Sequence, residues 1–128
     1  MTPVDQVQTL WSVFESDGPL ATLDHVADDC EWVPAPDVPR ARALHGAREM
    51  RGYLEQLELA GVRFEPALHT CEAVGDNVVV GGRLRVVTSS ALSDSPLFWV
   101  YRVREGRVSR VEAYACRRDA LRAAAAAA

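Results

Sequence analysis

This sequence is poor in the clusters from which metal and thiol chemistry are built. Its three cysteines, Cys30, Cys71 and Cys116, stand far apart, with no CxxC pair and no grouping with the three histidines. That spacing argues against a structural zinc site and leaves buried free thiols as the expectation. No metal ligand set and no cofactor is implied. A Gly-rich phosphate loop, a GxSxG elbow and an HExxH helix are all lacking, so the mechanisms that rely on them lose their support. No apolar run reaches the ~18 residues of a membrane span. The chain opens with the polar MTPVDQVQ instead of a basic and then apolar leader, so a cytoplasmic protein with no membrane partner is expected. Nor is positive charge in excess: a formal charge of -4 disfavours nucleic-acid partners.

What is present suits a single soluble domain over residues 1–128, with 48% hydrophobic and 25% charged residues, long enough to bury a core unaided. Thr2-Pro3-Val4-Asp5 has the form of a helix start, with Thr2 as cap, Pro3 at the first helical position and Asp5 at the positive dipole end. Val7, Leu10, Trp11 and Phe14 then follow helical spacing. Asp17-Gly18-Pro19 breaks that helix and starts a short second one with Leu20, Leu23 and Val26 or Ala27 inward. Cys30 to Val33 reads as a strand, ended by a loop with Pro34, Pro36 and Pro39 that carries Arg40 and Arg42. The third helix runs from near Gly46 to Gly61 on a Met50, Tyr53, Leu54, Leu57 stripe.

From there the pattern turns to strands: residues 62–74, then a turn at Gly75-Asp76-Asn77, then 78–90 with a bulge or bend at its paired glycines. ALSDSP reads as a loop, LFWVYRV (97–103) as a strand, and Glu105-Gly106 as a tight turn into RVSRVEAY. A C-terminal helix from Arg117 can extend into the six closing alanines, which carry no group for binding or chemistry. Helices first and antiparallel strands after predict an α+β domain with helices on one face of a curved sheet.

The order of VADDCEW, LHGAREMRGYLEQL and FWVYRVREGRVSRVEAY resembles the SnoaL-like group of the nuclear-transport-factor-2-like superfamily over nearly the whole chain. The resemblance implies a conical α+β barrel in which three helices pack on the concave face of a mostly antiparallel sheet around one deep pocket. It implies a small-molecule pocket protein, either an acid–base isomerase, cyclase or hydrolase or a noncatalytic binding or accessory domain, since this fold serves many functions. Against ketosteroid isomerases, Pro34, Leu10 and Phe98 stand where proton-handling residues would be, and none of them transfers a proton. Against limonene-type epoxide hydrolases, GRLRV keeps an arginine at Arg83 but has Arg85 in place of an acid, while RVEAY keeps a carboxylate at Glu112.

Strand alternation groups Arg83 and Arg85, then Phe98, Val100 and Arg102, then Arg110, Glu112 and Tyr114. With these sets facing inward, Glu112 orients water or takes a proton, Arg83 stabilises negative charge and Tyr53 positions the substrate. Arg85, Trp32, Trp11, Phe14, Phe98 and Tyr114 would line the binding site for a hydrophobic ligand with a polar end. Arg83 and Glu112 are then expected to pair in one cavity. In the other arrangement the arginines lie outside and Val80, Leu84, Val86, Trp99 and Tyr101 fill the interior. Trp99 and Tyr101 alternate with Phe98 and Val100, so both sides of that strand are apolar, and a homodimer through the convex face is expected. A C-terminal segment folded back over the sheet is the alternative cover.

Overall fold

The computed structural model describes residues 1–35 and 41–126; Pro36, Pro39 and Arg40 of the expected loop lie outside them. The first helix, α1, spans Pro3–Asp17 behind a capping box in which the Thr2 hydroxyl accepts from the Asp5 N–H and the Asp5 carboxylate accepts from the Thr2 N–H, each at 3.1 Å. Hydrogen bonding to Thr2 also holds the Asp5 carboxyl below its usual value. Gly18, at φ 89°, ends the helix in a conformation few side chains adopt. The second helical segment is a short 3-10 helix, Leu20–His25, with Leu23 buried. Strand β1 (Val26–Val33) starts earlier than expected, and the two-residue strand β2 (Leu44–His45) was not anticipated. Helix α2 (Ala47–Leu59) buries Met50, Tyr53, Leu54 and Leu57, the predicted stripe.

Four strands follow: β3 (Arg63–Val74), β4 (Asn77–Val87), β5 (Leu92–Arg104) and β6 (Arg107–Tyr114). They form one curved six-stranded sheet in the order β2-β1-β6-β5-β4-β3, antiparallel except where β1 meets β6. ALSDSP is therefore largely strand, not loop. Asp94 lies opposite Arg85 and forms ion pairs with Arg83 and Arg85, and such cross-strand charge pairs compensate for weak β propensity. The turn at Glu105-Gly106 has φ of 53° and 78°, as a two-residue hairpin requires.

Two of the sheet's three register shifts bear on the site. The β3–β4 register slips between Leu68 and Thr70, opposite the paired glycines. A Cβ on Gly82 would collide with the Ala67 carbonyl, and one on Gly81 would come within 2.6 Å of the Thr70 hydroxyl. The glycines thus admit a bulge on the neighbouring strand, whose Leu68 N–H is offered to Glu15 of α1 at 3.4 Å. A second slip, between Arg102 and Val103, turns Val108 into the core although Arg110, Glu112 and Tyr114 face out.

The concave face carries α1, the 3-10 helix and α2 over Val78, Val80, Leu84, Val86, Leu97, Trp99, Tyr101 and Val111. The convex face carries one further helix, α3 (Arg117–Ala126), whose Ala120 and Ala124 are fully buried against Val79 and Val100. Alanines one turn apart allow this close approach, and the buried Asn77 amide donates to the Ala124 carbonyl at 2.9 Å. The apolar patch attributed to a dimer is thus covered within one chain, and Trp99 and Tyr101 belong to the concave core. Among the described residues, no helix is long and apolar enough to cross a membrane.

Candidate functional site

A cavity of ≈ 80 Å³ lies between the concave sheet and the helices. Six aromatic side chains wall it, Trp11 and Phe14 from α1, Trp32 from β1, Phe64 from β3, and Trp99 and Tyr101 from β5, so all three tryptophans of the chain meet there. Leu10, Val26, Met50, Leu54, Leu84 and Val111 fill the gaps between the rings. Trp11 packs edge-on to Trp99 with centroids 4.9 Å apart and at 5.8 Å from Phe14. Such pairs add about 0.5–1.5 kcal/mol each beyond the area they bury, so the walls are stiff.

Polar atoms in this cavity are few. Thr22 spends its hydroxyl on the Pro19 carbonyl at 2.6 Å. The Trp11 indole nitrogen is buried and meets no acceptor. It lies toward the Tyr101 hydroxyl, near enough to oppose in part the effect of burial on that phenol. Burial still dominates and pushes Tyr101 well above the ordinary phenol value, so it is a neutral hydroxyl at any physiological pH. Among the described lining residues there is no carboxylate, imidazole or guanidinium.

A second, broader opening of ≈ 720 Å³ shares Phe14, Pro19, Leu54 and Phe64 with the cavity and runs outward between the ends of α1 and α2 and the start of β3. Its floor is apolar at Leu20, Leu57 and Val62, and its rim carries Glu15, Asp17, Glu58 and Glu65. The smaller cavity holds the aromatic box and the Tyr101 hydroxyl, so the candidate site centres there.

The residues expected to act together are placed apart. Arg83 lies on the convex face, its Nε 3.0 Å from Asp94, and Arg85 beside it reaches Glu65 at 3.6 Å and Asp94 at 3.7 Å. Glu112 is also convex, opposite Val100 in register, and takes Arg110 at 2.9 Å. The expectation that Arg83 and Glu112 pair in one cavity is therefore overturned. Both do share a face, as alternation implied, but it is the face that water and α3 cover. Phe98 and Tyr114 pack there too, near Val79 and Val100. Burial, and then the Glu112 charge, raise the Tyr114 phenol. Tyr53 is buried one layer behind the cavity, edge-on to Trp32 at 5.5 Å and beneath Arg42 at 5.8 Å.

Of the predicted residues, the cavity gathers Trp11, Phe14 and Trp32; it excludes Glu112, Arg83, Arg85, Phe98, Tyr114 and Tyr53. Phe64, Trp99 and Tyr101 are the aromatic members not selected as site residues, although the alternative arrangement put Trp99 and Tyr101 in the interior. The Leu97, Trp99, Tyr101 alternation, in phase with Val78 and Val80 across the ladder, was the available signal.

The comparisons with known proteins agree with this architecture. The family model described as SnoaL-like domain matches residues 7–111. No protein of curated function matches. Among solved structures, an NTF2-like protein from Burkholderia thailandensis is similar at 22% identity, covering 98% of each chain with a TM-score of 0.78. TerC co-crystallised with polyporic acid is similar at 19% identity, with 88% of this chain and 90% of that one covered and a TM-score of 0.71. An M. tuberculosis LEH-like epoxide hydrolase is similar at 18% identity, with 93% and 86% covered and a TM-score of 0.69.

Proposed function

Because the chain belongs to the SnoaL-like family, we propose that its concave cavity captures a small, neutral, largely apolar molecule, and that the domain is a binding module without acid–base chemistry. The observation that carries this reading is the composition of the walls, six aromatic rings and no ionised side chain among the described lining residues. Proton transfer needs a group that titrates near the working pH within hydrogen-bond reach of substrate. Tyr101 is held neutral, and the nearest candidates from the epoxide-hydrolase pattern, Arg83 and Glu112, lie across the sheet. Binding of polyporic acid by TerC, a protein of the same fold, supports use of the pocket for small molecules.

The isomerase, cyclase or hydrolase reading keeps one favourable observation. The Tyr101 hydroxyl, held neutral in the cavity wall, is a donor of the kind that stabilises a developing oxyanion. Turnover would then need a base from the substrate or from solvent. The test is native mass spectrometry of the full chain as purified, with intrinsic fluorescence titrations of neutral, anionic and cationic small molecules. A neutral copurified or titrated ligand that quenches the tryptophans supports the reading. Preference for a carboxylate, lost in Arg85→Ala, overturns it.

A homodimer remains part of this reading, now through the charged strip of the convex face, where Glu65, Arg85 and Asp94 alternate in sign over three strands and offer a two-fold copy self-complementary charges. A monomeric mass by light scattering at micromolar concentration and low salt would remove it. A cytoplasmic setting is likewise kept, supported by three cysteines that all stand free.

A further inference from the structure

We infer that the inner cavity and the outer opening form one track for an unbranched, neutral alkyl chain, with the chain end held in the aromatic cavity and the polar end left at the mouth. This rests on the pocket reading above and adds the shape of the ligand and the direction in which it lies.

Size excludes rings from the inner space. At ≈ 80 Å³ it has room for a few carbon-sized groups, about three if each takes the ~30 Å³ of a water in the liquid. A dry apolar cavity that accepts one benzene ring measures roughly 150 Å³, nearly twice as much. The walls do not swell readily to make up the difference, because Trp11 is braced against Trp99 and Phe14 with ring centroids 4.9 and 5.8 Å apart. A chain end enters where a ring does not.

The inner space is not isolated. Phe14, Pro19, Leu54 and Phe64 line both it and the outer opening and so form the neck between them. Beyond the neck the space widens to ≈ 720 Å³ over the apolar floor of Leu20, Leu57 and Val62. A ligand that fills both parts is narrow at its inner end and longer than the cavity.

Polarity sets the direction. Of the polar side chains among the described lining residues, Thr22 spends its hydroxyl on Pro19, which leaves Tyr101. Each buried methylene strengthens binding about fourfold, so three chain carbons outweigh the roughly fivefold net gain from one hydrogen bond to a buried oxygen. At the mouth the oxygen keeps its water. Glu15, Asp17, Glu58 and Glu65 stand there with Arg63, whose guanidinium is paired to Glu65 at 2.8 Å. A chain ending in a carboxylate is repelled by that rim, which leaves alcohols, ketones and esters as the class.

The probes are 2-heptanone and 1-cyclopentylethanone, which share an acetyl end and a five-carbon tail, open in the first and closed into a ring in the second. Binding to the full chain is followed by tryptophan fluorescence. The open tail should bind at least about tenfold more tightly, since the ring forfeits most of the inner carbons at about fourfold each. Leu84 lines the cavity and not the opening, so Leu84→Ala enlarges only the inner space, and the preference should fall about tenfold there. Comparing the preference between the two proteins cancels the difference in hydration of the probes. A second readout needs no variant: in the unaltered protein, nuclear Overhauser contacts should join the terminal methyl of 2-heptanone to the Trp32 and Trp99 indoles and its acetyl methyl to Leu57 or Val62. If the ring ketone binds as tightly as the open one, or the acetyl methyl is the end beside the indoles, this inference is overturned while the pocket stands. If neither probe binds, the pocket reading fails and takes this inference with it.

Discussion

Arg83 and Leu84 are adjacent on β4 and face opposite sides of the sheet, so replacing each by alanine separates the two possible sites. Leu84 is 9% exposed and lines the cavity. Its truncation removes three carbons, about 2.4 kcal/mol at ~0.8 kcal/mol per methylene. A cavity term of ~24 cal/mol per Å³ adds to this, although Leu84 already borders empty space and has fewer contacts to lose. A destabilisation of about 2–3 kcal/mol is expected, in the lower half of the usual range for buried leucine. Arg83, by contrast, holds its ion pair with Asp94 at side-chain exposures of 44% and 35%. Solvent screening limits such a pair to at most about 1 kcal/mol. Urea titrations of both variants read the stabilities, and tryptophan quenching by 2-heptanone reads the site. Leu84→Ala should alter ligand affinity and Arg83→Ala should leave it unchanged. Should Arg83→Ala cost more than Leu84→Ala, or abolish quenching, the assignment of faces would be refuted.

Other consequences follow from the same structure. Placing a charge under α3 with Ala120→Arg should undock that helix, seen as faster tryptic cleavage at Arg117, Arg118 and Arg122 and as dye binding to the uncovered Val79 and Val100; unchanged protease resistance would contradict the packing. The Cys30 thiol is pushed up to about 12, first by burial and then by the Asp29 and Glu31 charges, so it should resist a thiol reagent at pH 8 until the chain is denatured, whereas the partly exposed Cys116 reacts in the native protein. Because Tyr101 is raised above its ordinary 10.0 in the folded chain, its contribution is complete below that value and is lost as pH climbs beyond it. The loss is about 1.4 kcal/mol per pH unit. Urea midpoints at pH 9, 10 and 11 should therefore fall less in Tyr101→Phe than in the unaltered protein.

Much of this fold is legible in the sequence because its signals are local. The capping box at Thr2, the break at Gly18 and the stripe ending at Leu57 each depend on residues a few positions apart. The site is less legible for a physical reason. Alternation tells that Arg83, Glu112 and Tyr114 share one face, but it does not tell which face is inside, and that is decided by what covers each side. Three consecutive buried valines, Val78 to Val80, indicate that both sides of β4 are covered. The cover on the convex side is the alanine-rich segment, which carries no chemistry and so drew no functional reading. Bulges add a second difficulty, since the slip beside Val103 moves Val108 to the other face from Arg110 without any glycine or proline to announce it. Charges at positions resembling catalytic ones outweighed the plain count of aromatics, although all three tryptophans turned out to share one cavity.

The most direct test of the central claim follows side-chain N–H resonances while 2-heptanone is added to the full chain. If the concave aromatic box is the site, the indole signals of Trp11, Trp32 and Trp99 shift together and saturate, and the Nε–H of Arg83 stays still. Movement of the Arg83 signal with the three indoles unmoved would contradict it and return the site to the convex face.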